Sequence, residues 1–170
     1  NYASTGSGGT THLAAELLKS MAGINIVHVP YKGSGAATAA TLGGEVQMQI
    51  SGAATVLGHV KAGRLRALGV TSPEPTALVP GVPTVAASGL PGYEAVPLQG
   101  LFAPARTSTL IVNRLNQDVV RYFSRAEIKE RLLNAGTEAV GGSPEQFAAR
   151  MKSEIARWGK VIRDAGIRAE

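Results

Sequence analysis

The chain has 170 residues, with 17 Lys plus Arg, 12 Asp plus Glu and no Cys. Its 44% hydrophobic and 17% charged residues describe one globular domain or two small lobes and rule out a disordered chain. The lack of Cys removes disulfides, Cys-containing zinc sites and Cys nucleophiles, and no apolar run approaches the about 18 residues of a membrane span. The net charge of +5 is uneven. Residues 1–100 hold 5 basic and 4 acidic side chains, and residues 101–170 hold 12 and 8. Basic residues alternate with acidic ones along helical periods, as in Lys152-Ser153-Glu154. That is the pattern of solvated helices, so no nucleic-acid partner is expected. The chain opens at Asn1-Tyr2 without Met, so the natural N-terminus is expected elsewhere.

In chain order, Tyr2-Ala3 reads as the end of a first strand. It is a stub against the usual length of about five residues, which suggests a chain that begins mid-element. Leu13, Leu17 and Met21 then recur at helical spacing over Leu13–Met21, with Gly23 as C-cap. The β-branched run from Ile24 to Val29, ending at Pro30, predicts a second strand. Ala36–Leu42 predicts a short helix stopped by Gly43-Gly44, Val46–Ile50 a third strand, Val56–Ala62 a helix stopped by Gly63, and Leu65–Val70 a fourth strand. The β-α-β-α-β-α-β order implies right-handed crossovers and a mostly parallel sheet flanked by helices, an α/β fold.

Seven prolines, from Pro73 to Pro104, change the texture, and this stretch reads as a connector rather than a packed core element. Leu98–Ala103 follows as an extended strand. The remainder is helical. Leu110–Phe123 carries Val112, Leu115, Val119 and Phe123 on one face. Ser124 and Glu127 form a capping box for the next helix, which Gly136 ends. Ser143-Pro144-Glu145-Gln146 is a second capping box, opening a helix whose Phe147, Met151, Ile155, Trp158 and Ile162 make a continuous apolar stripe. These helices lack strands of their own to cover, a second sign of a fragment.

The chemistry concentrates at three turns. Thr5-Gly6-Ser7-Gly8-Gly9-Thr10-Thr11 joins the first strand to the first helix, where free amides and the helix dipole attract an anion. It is neither a Walker A loop nor a dinucleotide fingerprint. Tyr31-Lys32-Gly33-Ser34-Gly35 and Ser51-Gly52-Ala53-Ala54 follow the next two strands. All three lie at the carboxyl ends of parallel strands, where open α/β sheets bind ligands. Tyr31 walls that pocket or packs into the core, and Lys32 supplies charge or is simply solvated. His12, His28 and His59 have no metal-like spacing. His12, one turn into its helix, is read as ordering the loop rather than acting as a base. No acid pair and no Gly-x-Ser-x-Gly elbow occurs, so binding without catalysis is the leaner reading.

Several strings resemble the receptors of tripartite tricarboxylate transporters, the Bug proteins. They are Asn1-Tyr2-Ala3-Ser4-Thr5-Gly6-Ser7-Gly8 with His12-Leu13, and His28-Val29-Pro30-Tyr31-Lys32-Gly33. Lys61 to Leu68, Val82-Pro83-Thr84-Val85, Gly89 to Glu94 and Gly141 to Glu145 continue the likeness along the whole chain. The resemblance implies a type II periplasmic-binding-protein-like fold of two α/β lobes closing on a ligand. Residues 1–97 would be most of the second lobe. Residues 98–170 would supply a crossing strand and the helices of the first lobe, whose N-terminal half is absent here. It also implies a periplasmic receptor, without enzymatic activity or cofactor, that delivers a small organic carboxylate to membrane subunits. Carried over to this chain, the binding positions are Thr5, Gly6, Ser7, Gly8, Gly9 and Thr10, with Tyr31 and Lys32, and Ser51 at the third turn. Three departures stand out: Ser51-Gly52 where relatives often have Asp-Asn, Leu98-Gln99 in place of an aromatic pair, and Thr11 in place of a Pro. The rival readings are an enzyme holding a phosphate ester on the Gly-rich loop, and a module that self-associates through its C-terminal helices.

Overall fold

The computed structural model describes residues 1–167. Its centre is a three-stranded parallel sheet in the order β2-β1-β3. These strands are β1 (Tyr2–Ser4), β2 (His28–Pro30) and β3 (Met48–Gln49). The register pairs Tyr2 with His28 and Met48, Ala3 with Val29 and Gln49, and Ser4 with Pro30. The stub at the N-terminus is therefore the middle strand, with Tyr2, Ala3 and Ser4 all buried.

Each strand feeds a helix: α1 (Thr10–Ala22), α2 (Ser34–Leu42) and α3 (Ala53–Lys61). Alternation along β1 separates the faces. Ala3 packs with Ala37, Ala40 and Val46 beneath α2, joined by Val29 and Tyr31. Tyr2 bonds Glu16 of α1 from the opposite face, and Ser4 lies with it. Gly23 caps α1 in the left-handed conformation, as read from the sequence.

Several strands are shorter than their sequences suggest. Ile24 to Val27 lie outside the ladder. The Ile24 N–H returns to the Lys19 carbonyl and Val27 only accepts from the Tyr2 N–H, so these residues form the helix-to-strand link. Of Val46–Ile50 only Met48-Gln49 pairs, with Val46 turned into the core. The expected fourth strand reduces to one parallel bridge, Val70 to Thr84. Its partner segment contains Pro80 and Pro83, which have no N–H to donate to a ladder. Leu98–Ala103 forms no strand either, and Leu101 and Phe102 are exposed.

The proline-rich connector, by contrast, does enter the core. Tyr93 is 1% exposed and packs with Ala14 and Ala95 against Leu17, Leu90 and Trp158, its hydroxyl donating to the Ala14 carbonyl at 3.0 Å. Prolines prevent ladder pairing, not burial, and the turn at Leu90-Pro91-Gly92 aims Tyr93 inward.

The C-terminal helices are α4 (Thr109–Ser124), α5 (Ala126–Asn134) and α6 (Pro144–Asp164). The expected capping box at Ser124 does not form. α4 runs through Ser124, whose hydroxyl donates to the Arg121 carbonyl at 2.8 Å, and the extended residue that caps α5 is Arg125. The Ser143 box does form, its hydroxyl accepting from the Gln146 N–H while the Gln146 side chain accepts from the Ser143 N–H. The α6 stripe is not continuous. Ile155 is 67% exposed, whereas Glu154 and Val161 are buried. Glu154 tolerates burial because Arg157, Trp158 Nε1 and Arg150 all reach its carboxylate. Phe147 packs edge-on against Phe102 with ring centres 5.5 Å apart. No helix among the described residues is long and apolar enough to cross a membrane.

Candidate functional site

Parallel pairing places the carboxyl ends of β2, β1 and β3 side by side, so the three predicted turns share one rim. The first two touch. The Tyr31 N–H donates to the Ser4 carbonyl at 3.1 Å, and the Tyr31 carbonyl lies 3.9 Å from where a Cβ on Gly6 would sit. Gly6 has φ +135°, so a side chain there would be strained.

The loop amides are not all available to a ligand. The Thr5 N–H donates to Thr11 Oγ1 at 3.0 Å, Gly6 N–H to Ser4 Oγ at 3.2 Å, Gly8 N–H to His12 Nδ1 at 3.0 Å and Gly9 N–H to the Gly6 carbonyl at 3.4 Å. Among the described residues the Ser7 N–H has no partner. The first-turn amides of α1, those of Thr10, Thr11 and His12, have none within the helix either, since Gly9 as N-cap contributes no side-chain bond. The same holds at the start of α2, capped by Gly33, whereas in the first turn of α3, capped by Gly52, the Thr55 N–H donates to the Gly52 carbonyl at 3.0 Å. The rim therefore presents Ser7 N–H and the N-termini of α1 and α2, a set of donors suited to negative charge.

The side chains distribute unevenly. Ser7 and Thr10 are exposed at the rim, and Thr5 Oγ1 lies 3.1 Å from Thr11 Oγ1. Lys32 is exposed, with no carboxylate within ion-pair distance among the described residues. Tyr31 packs on the Ala3 cluster and its hydroxyl donates to Glu45 at 3.3 Å, so only its backbone borders the rim. Ser51 is half-buried, one residue before the α3 cap.

Directly beneath the loop lies a cluster that motif reading did not assemble. The His12 and His28 rings stack with centres 3.8 Å apart and planes 10° apart, and Tyr2 continues the stack 5.1 Å from His28. Ser4 Oγ is 2.6 Å from His28 Nε2. The Tyr2 hydroxyl and the Lys19 ammonium both donate to Glu16 Oε1, at 2.6 and 2.8 Å. Burial holds both histidines below their ordinary pKa, His28 further through its neighbour His12. At Glu16 burial opposes ionisation, but the bonds from Lys19 and Tyr2 outweigh it and keep the carboxyl below its usual range. His12 was legible as a loop-ordering residue. Ser4, Thr11 and His28 were not, because their partners lie on other elements or across a turn.

Two surface hollows involve the helices. One sits between α3 and the end of α5, lined by Ala54, Leu57, Lys61, Asn134 and Gly136, and another beneath α4 and α5.

The family model described as tripartite tricarboxylate transporter family receptor, TctC, matches residues 1–167. The chain belongs to the TctC family. A UPF0065 protein in the tcbD-tcbE intergenic region of Pseudomonas sp. strain P51 is 40% identical over 95% of this chain and 48% of its own length. A UPF0065 protein in the clcB-clcD intergenic region of Pseudomonas knackmussii is 39% identical over 92% of this chain and 94% of its own. Among solved structures, R. palustris Rpa4515 with adipate superposes with a TM-score of 0.85 at 36% identity, over 98% of this chain and 56% of that one. This TctC chain therefore spans about half the length of the Pseudomonas P51 relative and of the adipate-bound structure, and its fold is that of a TctC solute-binding protein.

Proposed function

We propose that this TctC chain is the C-terminal part of a periplasmic solute receptor that captures a small organic carboxylate and delivers it to the membrane subunits of a tripartite transporter. The observation that carries the reading is the shared rim, where Ser7 N–H and the first turns of α1 and α2 present unpartnered donors in a chain of this receptor family. The binding set is Thr5, Gly6, Ser7, Gly8, Gly9, Thr10, Tyr31, Lys32 and Ser51. Within it Ser7 and Thr10 donate to the carboxylate, the glycines allow close approach, Tyr31 and Ser51 border the rim through the backbone, and Lys32 adds charge. Such a rim suits a ligand closed over by a second lobe. Residues 1–97 form the ligand lobe and residues 98–170 return to the other lobe. The exposure of Leu98, Leu101, Phe102, Leu110 and Ile111 supports that division, because exposed apolar side chains grouped along one stretch of chain suit a surface that another element covers. Without that cover the chain self-associates through this surface.

A phosphate-ester enzyme would need an acid–base group at the rim beyond His12 and Lys32; His12 is engaged in holding the loop, which leaves Lys32 alone. Calorimetric titration of the full-length gene product with adipate and a panel of mono-, di- and tricarboxylates tests the receptor reading. Saturable heat with at least one acid is expected, and none with any acid overturns it.

A further inference from the structure

A backbone N–H can only donate, so His12 Nδ1, 3.0 Å from the Gly8 nitrogen, accepts and carries no proton. Its proton sits on Nε2, which faces Glu16 Oε1 at 3.8 Å. Ser4 Oγ accepts from the Gly6 N–H at 3.2 Å and lies 2.6 Å from His28 Nε2 and 3.2 Å from the Gly6 carbonyl. Each member of the stacked pair holds one end of the Gly6–Gly8 arc, His12 directly and His28 through Ser4.

We propose that unprotonated His12 is the positioning residue that holds the Gly-rich loop in its anion-accepting shape, and that a proton delivered to its Nδ1 releases the loop and the bound anion. The inference rests on the receptor reading above. On protonation Nδ1 becomes a donor pointed at a donor, and the Gly8 bond cannot persist. Gly8 then leaves, and the orientation of the neighbouring Ser7 N–H goes with it. The charge gained does not compensate at the rim, because Glu16 lies beside Nε2 and faces it from α1. Two imidazoliums with ring centres 3.8 Å apart repel, so the pair accepts one proton before it separates. The charged and titratable groups around the pair are Tyr2 on β1, Glu16 and Lys19 on α1 and the two histidines themselves. α2 and β3 bring no charged residue. α6 packs on the face of α1 bearing Ala14 and Leu17, where Arg157 and Glu154 pair with each other.

The test is a pH titration of the full chain followed by nitrogen–proton NMR at the His12 ring and the Gly8 amide, without ligand. The Gly8 amide should shift and lose exchange protection with the His12 midpoint, below the ordinary histidine value. His12→Asn keeps an acceptor near the Nδ1 position without titrating and should abolish the Gly8 step, whereas His59→Asn on α3 should leave it intact. In parallel, sulfate, whose charge is constant over this range, is titrated calorimetrically. Its affinity should fall about tenfold per pH unit below the midpoint, the limit for one linked proton. A Gly8 amide indifferent to His12 protonation, a step that survives His12→Asn, or sulfate affinity that rises on acidification overturns the inference. A Gly8 step without binding of sulfate or any carboxylate at any pH retains the loop coupling but overturns anion release and the receptor reading beneath it.

Discussion

At the scale of single residues, the loop is held by side chains that accept from its amides. Thr11 is one of them, taking the Thr5 N–H and lying 3.1 Å from the Thr5 hydroxyl. Thr11→Val keeps the shape and removes the acceptor, leaving a partly buried donor unsatisfied. It should lower stability by about 1–3 kcal/mol, read as a shift in the denaturation midpoint, while Thr11→Ser should stay close to the parent. A Pro at this position could not offer the hydroxyl at all. Tyr93 makes the corresponding link in the core. Burial raises its phenol to about 12 against an ordinary 10. The folded state then keeps a proton that the unfolded state has lost, so the stability it contributes is complete below pH 10 and disappears as pH rises through about 12. Tyr93→Phe should remove that alkaline step and cost about 1 kcal/mol at neutral pH for the bond to the Ala14 carbonyl.

At the scale of elements, two apparently equivalent Ser signals had opposite fates. Ser143 sits in extended backbone before α6 and caps it, whereas Ser124 is still within α4 when α5 approaches. Ser143→Ala should therefore cost about 1 kcal/mol and Ser124→Ala almost nothing, measured side by side by chemical denaturation. The difference was not legible in the sequence, since both strings carry a hydroxyl and an acidic or amide residue three positions on. What decides is whether the preceding helix has already ended. Gly136 couples elements from the two halves of the chain. It has φ +76°, and a Cβ there would lie 2.5 Å from the Ala54 Cα at the start of α3. Gly136→Ala should destabilise by more than about 1 kcal/mol through combined strain and backbone overlap, and should displace the third corner of the rim. Carboxylate affinity should fall even where the protein remains folded.

At the scale of the whole molecule, acid sensitivity follows from the buried histidine pair. Both folded pKa values lie below the ordinary 6.5, so the unfolded chain binds protons first as pH falls. Stability is fully present above about 6.5 and declines below it until the folded-state values are reached. Denaturation midpoints between pH 7.5 and 5 should show this decline, and His12→Asn should flatten it. The exposed apolar surface of residues 98–115 makes a second molecular-scale prediction. The 170-residue chain should self-associate in light scattering at micromolar concentration, and Phe102→Ser with Leu110→Ser should return it toward a monomer.

The sequence by itself determined the α/β class, the six helices, the Gly23 and Ser143 caps and the three small polar turns, all products of local periodicity, capping chemistry and glycine placement. The family likeness was equally legible, because the strings around the Gly-rich loop and Tyr31-Lys32-Gly33 are contiguous. Tertiary structure alone decided where β1 sits, how short each strand is, that Tyr93 turns inward, and which loop amides remain for a ligand. Those outcomes depend on pairings between residues far apart in the chain: His28 against Ser4 and Tyr93 against Ala14. Hydrogen-bond partners across elements are chosen by packing, and packing leaves no periodic trace in the order of amino acids.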